Sequence, residues 1–274
     1  MTTEALVSRF EKIGATVALM ERRTKGFWAR QPSTPDIDVK TSNRVEQFII
    51  SNYDDPEYTF EVIDISPEKR HLLLMMKKDE VKTERHQKAE ISKFLCGHDE
   101  RHWFVAAIPE EAHVKNIEEA MDALKPRDVH SVSRNLRKKE KNKRHNKAWK
   151  RQGEWFFLPA DNFSPDPLIV LKNEPILRTG SKPHMCEELV RMNGVVLWFH
   201  WGVAKEGVND ATKKILESKG NTSGWQSRMV DATVYVRGNI THPDHATIYL
   251  PNWCRVVMNE EAKAKARAKL RFLD

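Results

Sequence analysis

The sequence predicts an α+β protein in two parts: an N-terminal mixed α/β domain, then a basic connector and a C-terminal antiparallel β-sandwich or barrel that ends in a helix. Three observations carry that prediction. Helical and strand-like periodicities alternate through the first 128 residues; a dense basic run follows; from residue 152 onward, short branched and aromatic runs are separated by Gly and Pro corners. A chain of 274 residues also exceeds the usual single-domain length of roughly 100–150 residues. The expected divisions are 1–128, 129–151 and 152–274.

In order, apolar positions Ala5, Leu6, Phe10 and Ile13 at helical spacing predict a helix that stops at Gly14, followed by a β-branched strand to Met20. The Pro-rich segment 31–36 breaks the pattern, and 45–52 resumes as a strand or short helix. Runs 59–65 and 71–76 read as two strands around a charged turn. Residues 93–109 read as a hairpin whose tip gathers Cys96, His98 and His102. Val114, Ile117, Ala120, Met121 and Leu124 predict an amphipathic helix, ended by Pro126.

Residues 134–151 are the most biased stretch, with ten Lys or Arg among eighteen residues. Such density resists burial, so an exposed helix or flexible connector is expected. The stretch 152–159 then opens the β-rich half, with strands near 168–171, 194–201 and 232–237. A capped helix over 210–220 is inserted between them like a lid. Asn259, with acids after it and bases beyond, predicts a terminal helix.

Composition narrows the function classes. No apolar run reaches the roughly 18–20 residues of a membrane helix, and the charged start lacks a signal-peptide pattern, so a cytoplasmic protein with no membrane partner is expected. Three widely spaced cysteines, Cys96, Cys186 and Cys254, argue against a disulfide framework and fit a reducing compartment. A net charge of +7 suits a polyanionic partner.

The chemistry-bearing residues concentrate at two corners. His242-Pro-Asp244-His245 forms a turn between two strand-like runs, and His184 and Cys186 lie at i and i+2, on one face of an extended segment. Bound together, His184, Cys186, His242 and His245 would make a closed N₃S zinc site; with one ligand absent, a position opens for water. Asp244 is then the candidate base or partner to a ligand histidine. At the other end of the chain, Cys96, His98 and His102 read as a possible thiol–imidazole catalytic cluster or as further ligands.

On Gln152-Gly-Glu154, His184-Met-Cys186 and His242-Pro-Asp-His245, residues 151–261 resemble a group of small uncharacterised bacterial β-domain proteins. Their pattern runs from Gln-Gly-Asp through His-x-His to His-x-Glu-His, and it is loosely similar to the metal-binding barrels of the cupins. The resemblance implies a β-domain holding a metal. This chain departs from it at Cys186 and at Asp244, which leaves the metal open.

The basic run supplies the other expectation. Arg134, Arg137, Lys138, Lys139, Lys141, Lys143, Arg144, Lys147, Lys150 and Arg151 can neutralise phosphates, with Trp149, Trp155 and Phe156 available to stack on bases. The expected function is therefore a nucleic-acid-binding component, RNA before DNA, within a ribonucleoprotein or with another protein partner. A metal-dependent phosphodiester hydrolase, or nuclease, built on the same histidines is the alternative, and a cupin-like small-molecule enzyme stands below it.

Overall fold

The computed structural model describes residues 2–21, 35–42, 45–78, 90–178, 181–264 and 272–273. Most of the Pro-rich segment 31–36, Gly180 of the 180–186 turn and most of the expected terminal helix lie outside the described residues. The chain divides into two compact units: Met1–Lys143 with Asn259–Lys269, and Arg144–Met258 with Leu270–Asp274.

The first unit begins with helix α1 (Thr3–Glu11), started by the Thr2 hydroxyl accepting from the Ala5 N–H and left at Gly14 in the left-handed region. Strands β1 (Val17–Met20), β2 (Asp36–Ser42) and β3 (Val45–Ser51) form one small sheet, with β1 parallel and β2 antiparallel to β3. Strands β4 (Tyr58–Ser66), β5 (His71–Lys78), β6 (Ile91–Asp99) and β7 (His102–Ile108) form a four-stranded antiparallel meander.

Both faces of that meander are covered, so its inner strand β5 runs apolar through Leu72-Leu73-Leu74 without alternation. Leu72, Leu74, Phe94 and Cys96 pack with Leu6, Phe10, Phe48 and Ile50, while Leu73, Leu95, Ala106 and Ile108 pack with Ile117, Ala120 and Leu124. Of those last three, Ile117 and Ala120 belong to α2 (Ile117–Ala123), which is capped by Asn116 accepting from the Glu119 N–H at 2.9 Å. Helices α3 (Arg127–Val132) and α4 (Lys138–Lys141) follow.

The second unit carries β8 (Lys150–Gln152), β9 (Trp155–Pro159), β10 (Leu171–Arg178), β11 (His184–Met192), β12 (Val195–His200), β13 (Ala204–Val208), α5 (Asp210–Ser218), β14 (Gln226–Val230), β15 (Thr233–His242), β16 (His245–Met258) and β17 (Phe272–Leu273). Seven of the strands make one antiparallel sheet, in the order β17-β10-β11-β15-β16-β9-β8; β13-β12-β14 make a smaller one beside α5. Trp155, Phe157, Leu189, Val234, Val236, Ile240, Ile248 and Leu250 form the core of the large sheet.

The α+β prediction is corrected. Of the described residues 50% are strand and 17% helix, a β-rich fold in several sheets rather than one with a mixed α/β domain. Among the described residues the large sheet also runs from edge to edge without closing into a barrel. The expected terminal helix is replaced, where described, by a single 3₁₀ turn at Glu260–Lys263. Its side chains have tertiary work to do: Glu261 is buried and accepts from the Ala107 N–H, and Ala264 is extended and buried in the first unit's core. That burial overrides an intrinsic helical preference. None of the described helices is long and apolar enough to cross a membrane.

Residues 134–151 are not one exposed connector. Their first part belongs to the first unit and holds α4, and their last part enters the second unit's large sheet as β8.

Candidate metal centre

Three turns of the second unit converge. The first is the two-residue link of the β15–β16 hairpin, where His242 and His245 face each other as the terminal pair. The second is the start of β11, whose pairing of Met185 with Thr241 and Cys186 with Ile240 sets His184 beside that link. The third is the β8–β9 turn, Gly153-Glu154, tied down by its neighbour Gln152. The Gln152 amide donates to the carbonyls of Ala246, at 2.7 Å, and Ile240, at 3.3 Å, one on each strand of the hairpin.

The three imidazoles form a layered stack. Ring centroids are 4.1 Å apart for His184 and His242, 4.7 Å for His242 and His245, and 5.6 Å for His184 and His245, with interplanar angles of 25–28°. One nitrogen from each ring lies within 4.8 Å of the other two, so the cluster could hold a metal ion. Gly153 leaves the space. A Cβ on it would sit 2.8 Å from Nε2 of His245 and 3.4 Å from Nε2 of His184, and its φ of +57° is one that residues with side chains rarely adopt.

His184 is the anomaly of the site. It is 1% exposed, and both of its ring nitrogens are buried with no hydrogen-bond partner among the described residues. Buried polar groups are normally paired, and an orphan costs about 1–3 kcal/mol. Burial, reinforced by the fields of His242, His245 and Arg178, pushes its pKa down to about 2. The ring is therefore neutral, the form in which imidazole binds a metal.

Cys186 does not join the triad. It shares a strand face with His184, yet residues i and i+2 stand roughly 6.5–7 Å apart along a strand, and its short side chain packs into the core. Its thiol donates weakly to the His184 carbonyl, and burial pushes its pKa up to about 12, which disfavours the thiolate a metal needs. Replacing Cys186 with alanine should leave metal stoichiometry unchanged and cost about 1 kcal/mol of stability; loss of the metal on elemental analysis would return the thiol to the ligand set.

Asp244 is engaged elsewhere. Lys182 donates to both of its carboxylate oxygens, at 2.7 and 2.9 Å, while the Asp244 backbone N–H donates to Nδ1 of His242 at 3.1 Å.

The hairpin-tip cluster lies in the first unit and does not assemble a nucleophile. Cys96 is fully buried, and desolvation raises its thiol pKa well above the ordinary value. His98 stands edge-on to Trp103 at 4.9 Å, its pKa lowered by burial and then by Arg70; His102 pairs through Nδ1 with Glu46 at 2.6 Å.

The basic residues divide by exposure. Arg134, Arg137, Lys138, Lys139, Lys143 and Lys147 are exposed, although Lys138 lies 3.4 Å from Glu118. Lys141, Arg144, Lys150 and Arg151 are partly covered, and Lys150 donates to the Tyr249 carbonyl at 2.6 Å. Trp149 is 2% exposed and packs edge-on to Phe156, and Trp155 and Phe156 are buried as well, so these rings serve the core.

Sequence reasoning missed Gly153 as the residue that makes room, Gln152 as the tie beneath it, and Lys182 as the partner of Asp244. The Gln-Gly pair before an aromatic strand was the one signal available for the first two. Comparisons of the chain with protein-family models, curated proteins and solved structures find no match.

Proposed function

We propose that His184, His242 and His245 hold a divalent transition metal, zinc first, in a centre that keeps one position open for water, and that the protein is a metal-dependent hydrolase of phosphodiesters. The observation that carries this reading is the orphaned, neutral His184 imidazole, buried against two further imidazoles over a glycine that leaves the space clear. Three protein nitrogens with an open fourth position are the pattern of catalytic rather than structural zinc. Zinc there supplies Lewis-acid chemistry, bringing the pKa of a bound water toward about 7. Asp244 is not assigned as the base, because Lys182 already holds its carboxylate. The exposed bases between Arg134 and Lys147 favour a polyanionic substrate, RNA before DNA.

A second reading is favoured by the burial of His184: the metal staples the β-sheet of a nucleic-acid-binding component and catalyses nothing. One set of measurements separates the two. Purified protein should carry about one metal per chain, and chelation should abolish cleavage of RNA and of bis(4-nitrophenyl) phosphate while the β-sheet spectrum persists. Chelation that unfolds the protein, with no hydrolysis before it, selects the staple; no bound metal after exposure to zinc or cobalt ends both. Retention on RNA should weaken steeply with salt, and the slope should flatten when Lys138, Lys139 and Lys143 are neutralised.

A further inference from the structure

The turn that carries two of the three ligands is held in a form that one of them must abandon to bind. The Asp244 N–H donates to Nδ1 of His242, so Nδ1 presents a lone pair and the ring proton of the neutral imidazole resides on Nε2. Ligation through Nε2 would require the proton to move to Nδ1, which could then no longer accept. Ligation through Nδ1 would use the same lone pair that the N–H occupies. Whichever nitrogen His242 offers a metal, the Asp244 N–H bond is lost.

That bond is braced from outside the turn. The Asp244 carboxylate is gripped through both oxygens by Lys182, two residues before His184, so the pair links the segment carrying one ligand to the turn carrying the other two. Resting on the three-histidine reading, we infer that the Lys182–Asp244 ion pair is a lock on the metal-free centre. It holds the Asp244 amide against His242 and is released when a divalent cation enters. The lock makes metal uptake a regulated step: whatever competes for Lys182 or screens the pair favours loading.

Lys182→Met and Asp244→Asn test the lock with cobalt(II), whose visible absorption reports ligation. Charge alone predicts opposite signs, since removing a cation should tighten cobalt binding and removing an anion should weaken it. The lock predicts the same sign, with both variants binding cobalt about two- to fivefold more tightly and more quickly than the parent, a span set by the strength of an exposed ion pair. The advantage should shrink near 1 M salt, where charges are screened within about 3 Å. Weaker or unchanged binding by Asp244→Asn overturns the lock. If the parent takes up no cobalt but a variant does, the lock stands in a stronger form; if none of the three does, the three-histidine reading falls and the lock with it. Nitrogen-15 spectra of the metal-free chain provide a check independent of affinity. His242 should show an unprotonated Nδ1 and a protonated Nε2, and the reverse assignment would overturn the lock even if the centre binds metal.

Discussion

Replacing His184 with leucine is expected to stabilise the metal-free protein by about 1–3 kcal/mol, the cost of the two orphaned ring nitrogens that the substitution removes. The same change should abolish metal binding. Leucine is close to histidine in volume and suits a position surrounded by Trp155 and the sheet core. Urea unfolding in chelator should therefore rank the variant above the parent. Saturating zinc should narrow or reverse that order, since a ligand at about 100 times its Kd contributes about 2.7 kcal/mol to the protein that binds it.

The ranking should also depend on pH. Burial holds the folded His184 far below its ordinary value of 6.5, so as pH falls the unfolded chain gains a proton there that the folded chain refuses. Stability is consequently lost below about pH 6.5, continuing toward pH 2, and the leucine substitution would remove that contribution. A variant less stable than the parent in chelator at neutral pH would mean that His184 is satisfied and that no ion is needed to explain it.

The second large effect is expected at Gly153. Alanine there meets two penalties: a left-handed backbone, worth roughly 1–2 kcal/mol, and a methyl carbon 2.8 Å from Nε2 of His245. The variant should lose stability by at least that backbone term, and its cobalt affinity should fall tenfold or more. Gly220→Ala is the control. It shares the positive φ, at +99°, but its added carbon would meet nothing within 4 Å. It should lose comparable stability and keep the metal. Equal metal affinity in the two variants would show that the space above Gly153 is not where an ion sits.

How much of this was legible in the sequence depends on how local each feature is. The β15–β16 hairpin was readable because its strand pattern and the Pro-Asp turn sit in one continuous stretch, and so His242 and His245 were visible as a pair. The i, i+2 relation of His184 and Cys186 was readable too, since both do point inward. That only His184 meets the other two imidazoles was not readable, because it depends on where along β11 the β15–β16 link falls. Gly153 stood in a quoted motif, but its role was hidden for the same reason: Gln152 beside it reaches strands nearly a hundred residues away.

The fold class went astray in the first unit, where runs 59–65 and 71–76 were read as strands but grouped with the helices as a mixed domain rather than as sheets. It also went astray where tertiary contacts overrode a helix pattern, as at Glu261 and Ala264. The basic run misled differently. Its high charge hid the buried Trp149 and the short strand β8, which joins the large sheet.

The first unit's discontinuity bears on how the chain acquires its structure. Glu261 reaches the Ala107 amide, and the Glu260 N–H donates to the Leu124 carbonyl, so residues made after the entire 144–258 insertion complete a body begun at the N-terminus. During synthesis that body must wait, unfinished, for the intervening 115 residues to emerge. The inserted unit has most of its strands in hand by Met258 and is free to mature ahead of the unit that precedes it.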